Sequence, residues 1–161
     1  MKIIILATLA FIVFAGCNKI NTKNCCAGGN VASVDSSFIA MPDIFTPNGD
    51  GINDILFVQN RNLSGLKLTI SKGSKIIFET TGTTSGWDGT YKSKMSKEMD
   101  YSYVVEAFTL SGKSLSLSGD ICLIRDNCSK TPIVNCCFAS QFSGSAFDKN
   151  IPSGESIKVC N

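Results

Sequence analysis

The sequence contains no histidine. That removes every Ser-His and Cys-His nucleophilic pair and every imidazole-ligated metal centre in one step. Charge is scarce as well: 17% of the 161 residues are charged, 15 Lys plus Arg against 13 Asp plus Glu, for a net +2. So small an excess gives no basic field for nucleic acid. Aromatic residues make up 9%, with a single Trp, and no apolar helical period is sustained across the body of the chain. The uninterrupted apolar run Ile3 to Ala15 spans only about 20 Å as a helix, short of a hydrocarbon core of about 30 Å. What the chain does have is 14 Gly and 8 Cys. The length suits one domain, and that many cysteines point to an oxidising compartment. Asp50 and Asp54 are the one candidate carboxylate pair, but no apolar wall in their segment would split their pKa values. The chain is therefore expected to be no enzyme, with no small-molecule substrate and no nucleic-acid partner.

Lys2, the apolar run and Gly16-Cys17 read as a signal peptide over residues 1–16. The ending Phe14-Ala15-Gly16-Cys17 resembles a bacterial lipobox, with Phe14 where Leu is usual. The resemblance implies lipid attachment at Cys17 and an outer-membrane anchor, with envelope or surface proteins as partners. An ordinary signal peptide cut nearby would instead leave Cys17 as a disulfide partner. Residues 17–36 are polar, rich in Asn, Gly and Ser, and read as a flexible tether from lipid to domain.

From Ser37 onward, short β segments alternate with turn residues. Candidate strands are Phe38 to Met41, Ile55 to Gln59, Leu66 to Ser71, Lys75 to Thr80, Tyr101 to Thr109, Ser114 to Leu117 and Ile121 to Arg125. Leu66, Leu68 and Ile70 alternate with Lys67 and Thr69, and Tyr101, Tyr103, Val105 and Ala107 alternate with Ser102, Val104 and Glu106. A period of two marks antiparallel strands with one face buried. Lys72-Gly73-Ser74 and Ser111-Gly112-Lys113 fall where hairpin turns are needed. About seven such strands predict an all-β fold, an immunoglobulin-like antiparallel β-sandwich over residues 37–126.

Residues 127–161 form a cysteine-containing extension, too poor in apolar residues to build a core of its own. With no His, four thiolates would be needed for a zinc site, and vicinal cysteines suit one badly. Disulfides are therefore expected among Cys25, Cys26, Cys122, Cys128, Cys136, Cys137 and Cys160, pinning the extension to the sandwich. The two Asn-Cys-Cys sequences flank the sandwich, so Cys136 or Cys137 is expected to pair with Cys25 or Cys26. Lipidation of Cys17 would leave an odd number of cysteines and one thiol over.

Asn48-Gly49-Asp50-Gly51-Ile52-Asn53-Asp54 sets oxygen-bearing side chains at alternate positions. Compact Asp/Asn/Gly loops supply hard oxygen ligands to Ca²⁺, so Asn48, Asp50, Ile52 (in the main chain), Asn53 and Asp54 are candidate calcium ligands. The spacing follows the first half of an EF-hand loop, but the position of its bidentate Glu is Gln59. The alternative is a metal-free loop shaped by Asx-turn hydrogen bonds. Trp87-Asp88-Gly89 is a second local signature, Trp87 plugging the sandwich edge and Asp88 capping the turn.

The run Pro42-Asp43-Ile44-Phe45-Thr46-Pro47-Asn48-Gly49-Asp50-Gly51-Ile52-Asn53-Asp54 is taken together with Trp87-Asp88-Gly89, Tyr101-Ser102-Tyr103 and Gly119-Asp120-Ile121-Cys122-Leu123-Ile124-Arg125. It resembles the gliding-motility-associated C-terminal domain of Bacteroidota, similar to the type B sorting domain of the type IX secretion system. The resemblance spans roughly Phe38 to Arg125 and also implies an Ig-like sandwich. Ser71-Lys72-Gly73 replaces the family's usual Arg-Trp-Gly turn, and Glu98-Met99-Asp100 its Pro-x-Gly turn. As a sorting signal the domain ends its cargo, whereas here the extension follows it. The expectation is thus an interaction domain on a lipoprotein associated with gliding motility or type IX secretion. The alternatives are a type IX secretion substrate carrying its own address, or a calcium-dependent adhesin module.

Overall fold

A computed structural model describes residues 30–125 and 136–157, and the backbone of 128–129 and 158–159. The chain runs through β1 (Asn30–Val34), β2 (Ser37–Met41) and β3 (Ile44–Phe45) into a long loop. It continues as β4 (Gln59–Arg61), β5 (Leu63–Lys72), β6 (Lys75–Thr81), the small hairpin β7 (Thr90–Tyr91) and β8 (Lys94–Met95), then β9 (Met99–Thr109) and β10 (Ser114–Leu123). The extension adds β11 (Cys128–Ser129), β12 (Phe142–Ser143), β13 (Ala146–Phe147) and β14 (Lys158–Val159). Two larger sheets result, ordered β1-β2-β4 and β3-β10-β9-β5-β6. Their pairings are antiparallel except that β3 runs parallel to β10, with Ile44 opposite Cys122 and Phe45 opposite Leu123.

Alternation decides which face is buried. Every second residue of β9 from Tyr101 to Thr109 is buried and those between are exposed, and β5 repeats the pattern through Leu66, Leu68 and Ile70. These side chains meet Ile39 and Met41 of β2, Phe45, Leu56 and Trp87 in one apolar core. Burial of each large side chain contributes about 1.5–3 kcal/mol, so the core holds the two sheets together. The fold is all-β, with several antiparallel sheets arranged in a manner consistent with a β-sandwich.

Three expectations change. Asn30–Val34, read as tether, is β1 and pairs with β2 from Asn30 opposite Met41 to Val34 opposite Ser37. The segment Ile55 to Gln59 is mostly loop: Leu56 makes a single bridge to Trp87, and the strand begins at Gln59. Ser114–Leu117 and Ile121–Arg125 are one strand, ending at Leu123, because Gly119 permits an approach that a side chain would block. A Cβ there would lie 2.5 Å from the Asn30 amide nitrogen and 2.8 Å from the Tyr103 hydroxyl.

The extension has an apolar seat of its own. Phe138 and Cys136 pack with Ile44, Cys122 and Ile124, and Ile157 closes the cluster. Cys122 and Cys136 each take part in a disulfide. Cys17, Cys25, Cys26 and Cys160, and the side chain of Cys128, lie outside the described residues, and with them the lipid site and the expected tether bridge. No helix among the described residues is long and apolar enough to cross a membrane.

Candidate functional site

The loop leaving β3 is wound around its own carboxylates. Both oxygens of Asp54 accept main-chain hydrogen bonds, from Gly49 N–H and Gly51 N–H, each at 2.7 Å. Aiming both amides at one side chain requires positive φ at each glycine, 87° and 88°, which a Cβ would penalise. Asn48 Oδ1 accepts from Asp50 N–H at 3.0 Å, and Asp50 Oδ1 accepts from Ile52 N–H at 2.8 Å. These are Asx turns in series, and Thr46 N–H closes the loop onto the Asn53 carbonyl at 3.0 Å.

The structure therefore gathers Asn48, Asp50 and Asp54 into one loop, with their oxygens turned toward amide hydrogens. Among the described residues no group of three or more His, Cys, Asp and Glu is placed to hold a metal ion. A cation needing six to eight oxygens would have to displace several of these bonds. Asp54→Ala is expected to cost about 1–2 kcal/mol by orphaning two amides at a partly exposed site. The loss should be the same in calcium and in chelator. A melting temperature that rises with calcium in the parent chain, and no longer does so in Asp50→Ala, would favour the metal reading instead.

Asn53 and Ile52 face the extension. Asn53 Nδ2 donates to the Ser153 carbonyl at 3.2 Å and to Glu155 Oε1 at 3.0 Å, while the Thr46 hydroxyl donates to the same Glu155 oxygen. Ile52 lies against Gly154. A cleft of about 500 Å³ runs beside this contact, lined by Asp54, Phe57, Ala139 and Ser140 among others.

Ahead of β3, Asp43, 5% exposed, accepts the Cys137 N–H at 2.7 Å. The two main chains also bond, Asp43 N–H to the Cys137 carbonyl at 3.0 Å, while the Asp43 carbonyl accepts from Cys122 N–H at 2.9 Å. Asp43 and Glu155 thus clasp the extension to the residue before β3 and to the loop after it. Sequence reasoning gave neither residue a role. Asp43, an acid set among the apolar residues of Met41 to Phe45, carried a usable signal; Glu155 carried none.

Trp87 is fully buried, its ring 5.2 Å from Phe45 and 5.1 Å from Tyr101. Its indole N–H donates to the Thr90 carbonyl at 2.8 Å, and Asp88 Oδ1 accepts from Thr90 N–H at 2.9 Å, the turn cap expected from the sequence. Arg125 fastens the next segment to the end of β10: its guanidinium donates to the Gly89 and Ser96 carbonyls, and its main-chain N–H to Glu98 at 2.7 Å. Burial pushes the Tyr101 and Tyr103 phenols above their ordinary pKa; Tyr101 donates to the Lys97 carbonyl and Tyr103 accepts from Asn30.

Two sheets lie around a Trp-centred core, with a hydrogen-bonded Asn/Asp/Gly loop at one end, an all-β arrangement consistent with a β-sandwich. The family model of the CHU_C type IX secretion signal domain matches residues 39–121, and the chain belongs to that family. No curated protein matches the chain. Type IX secretion places such domains at the cell envelope or beyond it.

Proposed function

We propose that this protein is a non-enzymatic, lipid-anchored envelope protein whose Ig-like sandwich serves protein interaction in association with the type IX secretion or gliding apparatus. The observation that carries the proposal is the clasp. Glu155 and Cys137 of the extension bond to Thr46, Asn53 and Asp43, within and beside the loop that carries the family motif. A sandwich whose motif loop is held by its own downstream segment is suited to remain as a folded part of the mature protein. The lipobox-like Phe14-Ala15-Gly16-Cys17 supplies the anchor, at the outer membrane.

Cys17→Ser is expected to abolish incorporation of labelled palmitate into the protein, since the acyl chains are carried through that thiol. Palmitate incorporation into the Ser variant equal to that of the parent would overturn the lipid anchor. The second reading, favoured by the family match over residues 39–121, is a secreted substrate whose sandwich is the address. In that case the sandwich would carry a fused reporter across the outer membrane, and the anchored reading predicts that it does not.

A further inference from the structure

A groove of about 520 Å³ opens between the start of β6 and the β7–β8 hairpin, remote in sequence from the motif loop. Lys72, Lys75, Lys92, Lys94 and Lys97 line it. That is five of the chain's 15 Lys and Arg at one concave surface, on a molecule whose net charge is only +2. No acidic residue lines the groove, although Asp100 reaches Lys72 from beside it at 3.4 Å. The floor is different in kind: Ile77, Met99 and the strongly exposed Met95, 78% accessible.

The hairpin that presents these groups is held in a costly conformation. Lys92 and Ser93, the two residues of its tight turn, have φ of 50° and 60°. Two-residue turns of this hand select Asn-Gly because left-handed backbone is unfavourable for residues with a longer side chain. Turn geometry alone does not call for lysine at this tip. Tyr91 stands beside it with the Lys75 ammonium 4.3 Å and the Lys92 ammonium 5.5 Å from its ring centre. Those cation–π contacts hold the ammonium groups over the groove and occupy the aromatic face on which a sugar would stack.

We propose that this groove binds an acidic peptide segment carrying apolar side chains, its carboxylates meeting the lysine rim and its apolar groups the Met95–Met99–Ile77 floor. Thioether side chains adapt to varied apolar shapes, and a ring of one charge speeds encounter with the opposite charge. A polysaccharide anion would use the rim and leave the floor without a partner. The surface is independent of the lipid anchor, so its test does not depend on that reading.

The test is fluorescence anisotropy of the full chain with a fluorescein-labelled peptide of Glu and Leu residues. Its arms are a Gln-for-Glu peptide, a Ser-for-Leu peptide and dextran sulfate as competitor. Saturable binding that weakens with added salt is expected for the Glu–Leu peptide, with affinity about tenfold lower for each control peptide. Lys75→Glu combined with Lys94→Glu should reduce affinity about tenfold or more, while Lys149→Glu, exposed and outside the groove, should leave it unchanged. Lys92→Glu at the hairpin tip gives the same reading if the double variant folds poorly. Absence of saturable binding, insensitivity to these reversals, or equal affinity for the Ser-for-Leu peptide or dextran sulfate would overturn the proposal.

Discussion

Trp87→Ala is expected to destabilise the protein by about 3–5 kcal/mol, the range for emptying a large aromatic site in a packed core. The indole is fully buried and lies within ring-contact distance of Phe45, Phe78 and Tyr101. Its main chain makes both hydrogen bonds of the bridge to Leu56, at 2.8 Å and 3.0 Å, so the cavity would open where both sheets and the incoming loop meet. A loss of that size corresponds to a fall in melting temperature of roughly 6–20 °C for a chain of this length. Trp87→Phe keeps most of the volume and loses the N–H donated to Thr90, so it should cost less. Thermal unfolding of the two variants checks the order; a Trp87→Ala protein as stable as the parent would mean that the indole is not the centre of the core.

Asp43→Ala should release the extension. The carboxylate accepts the Cys137 N–H in a buried setting, and its removal leaves that donor without this acceptor, at a cost of about 2–3 kcal/mol. Trypsin cleavage at the exposed Lys149, followed on reducing gels, should become faster in Asp43→Ala. Asp43→Asn, which keeps a side-chain oxygen in place, should fall between parent and Ala. Equal cleavage rates in all three would show that the clasp at Asp43 does not hold the extension.

The parts of the fold that were legible in the sequence are those set by local pattern. β5 and β9 alternate through their cores, and Gly73 and Gly112 sit at their turns with φ of 57° and 80°, so pattern and structure coincide there. β1 was missed because Asn30 to Val34 is short and polar in part, and becomes a strand only through β2 and the Asn30 bond to Tyr103, 73 positions away. Gly119 lies between two apolar stretches of the sequence, and nothing local marks it as the interior of one continuous strand. In the candidate site, the Asx-turn alternative for Asn48 and Asp50 was readable from spacing, since those bonds span two residues. The bonds from Glu155 and Cys137 back to residues 43–53 span roughly a hundred positions, and no periodicity encodes them.

The central claim is that anchor, sandwich and extension are retained together in one mature protein. Intact mass spectrometry of the protein extracted from the membrane fraction tests it most directly, because one spectrum reports both termini and the lipid. The account predicts a single species that starts at a diacylglyceryl-modified Cys17 and retains the chain through Asn161. An unlipidated species found outside the cell, or a mature form lacking the residues after Arg125, would contradict it.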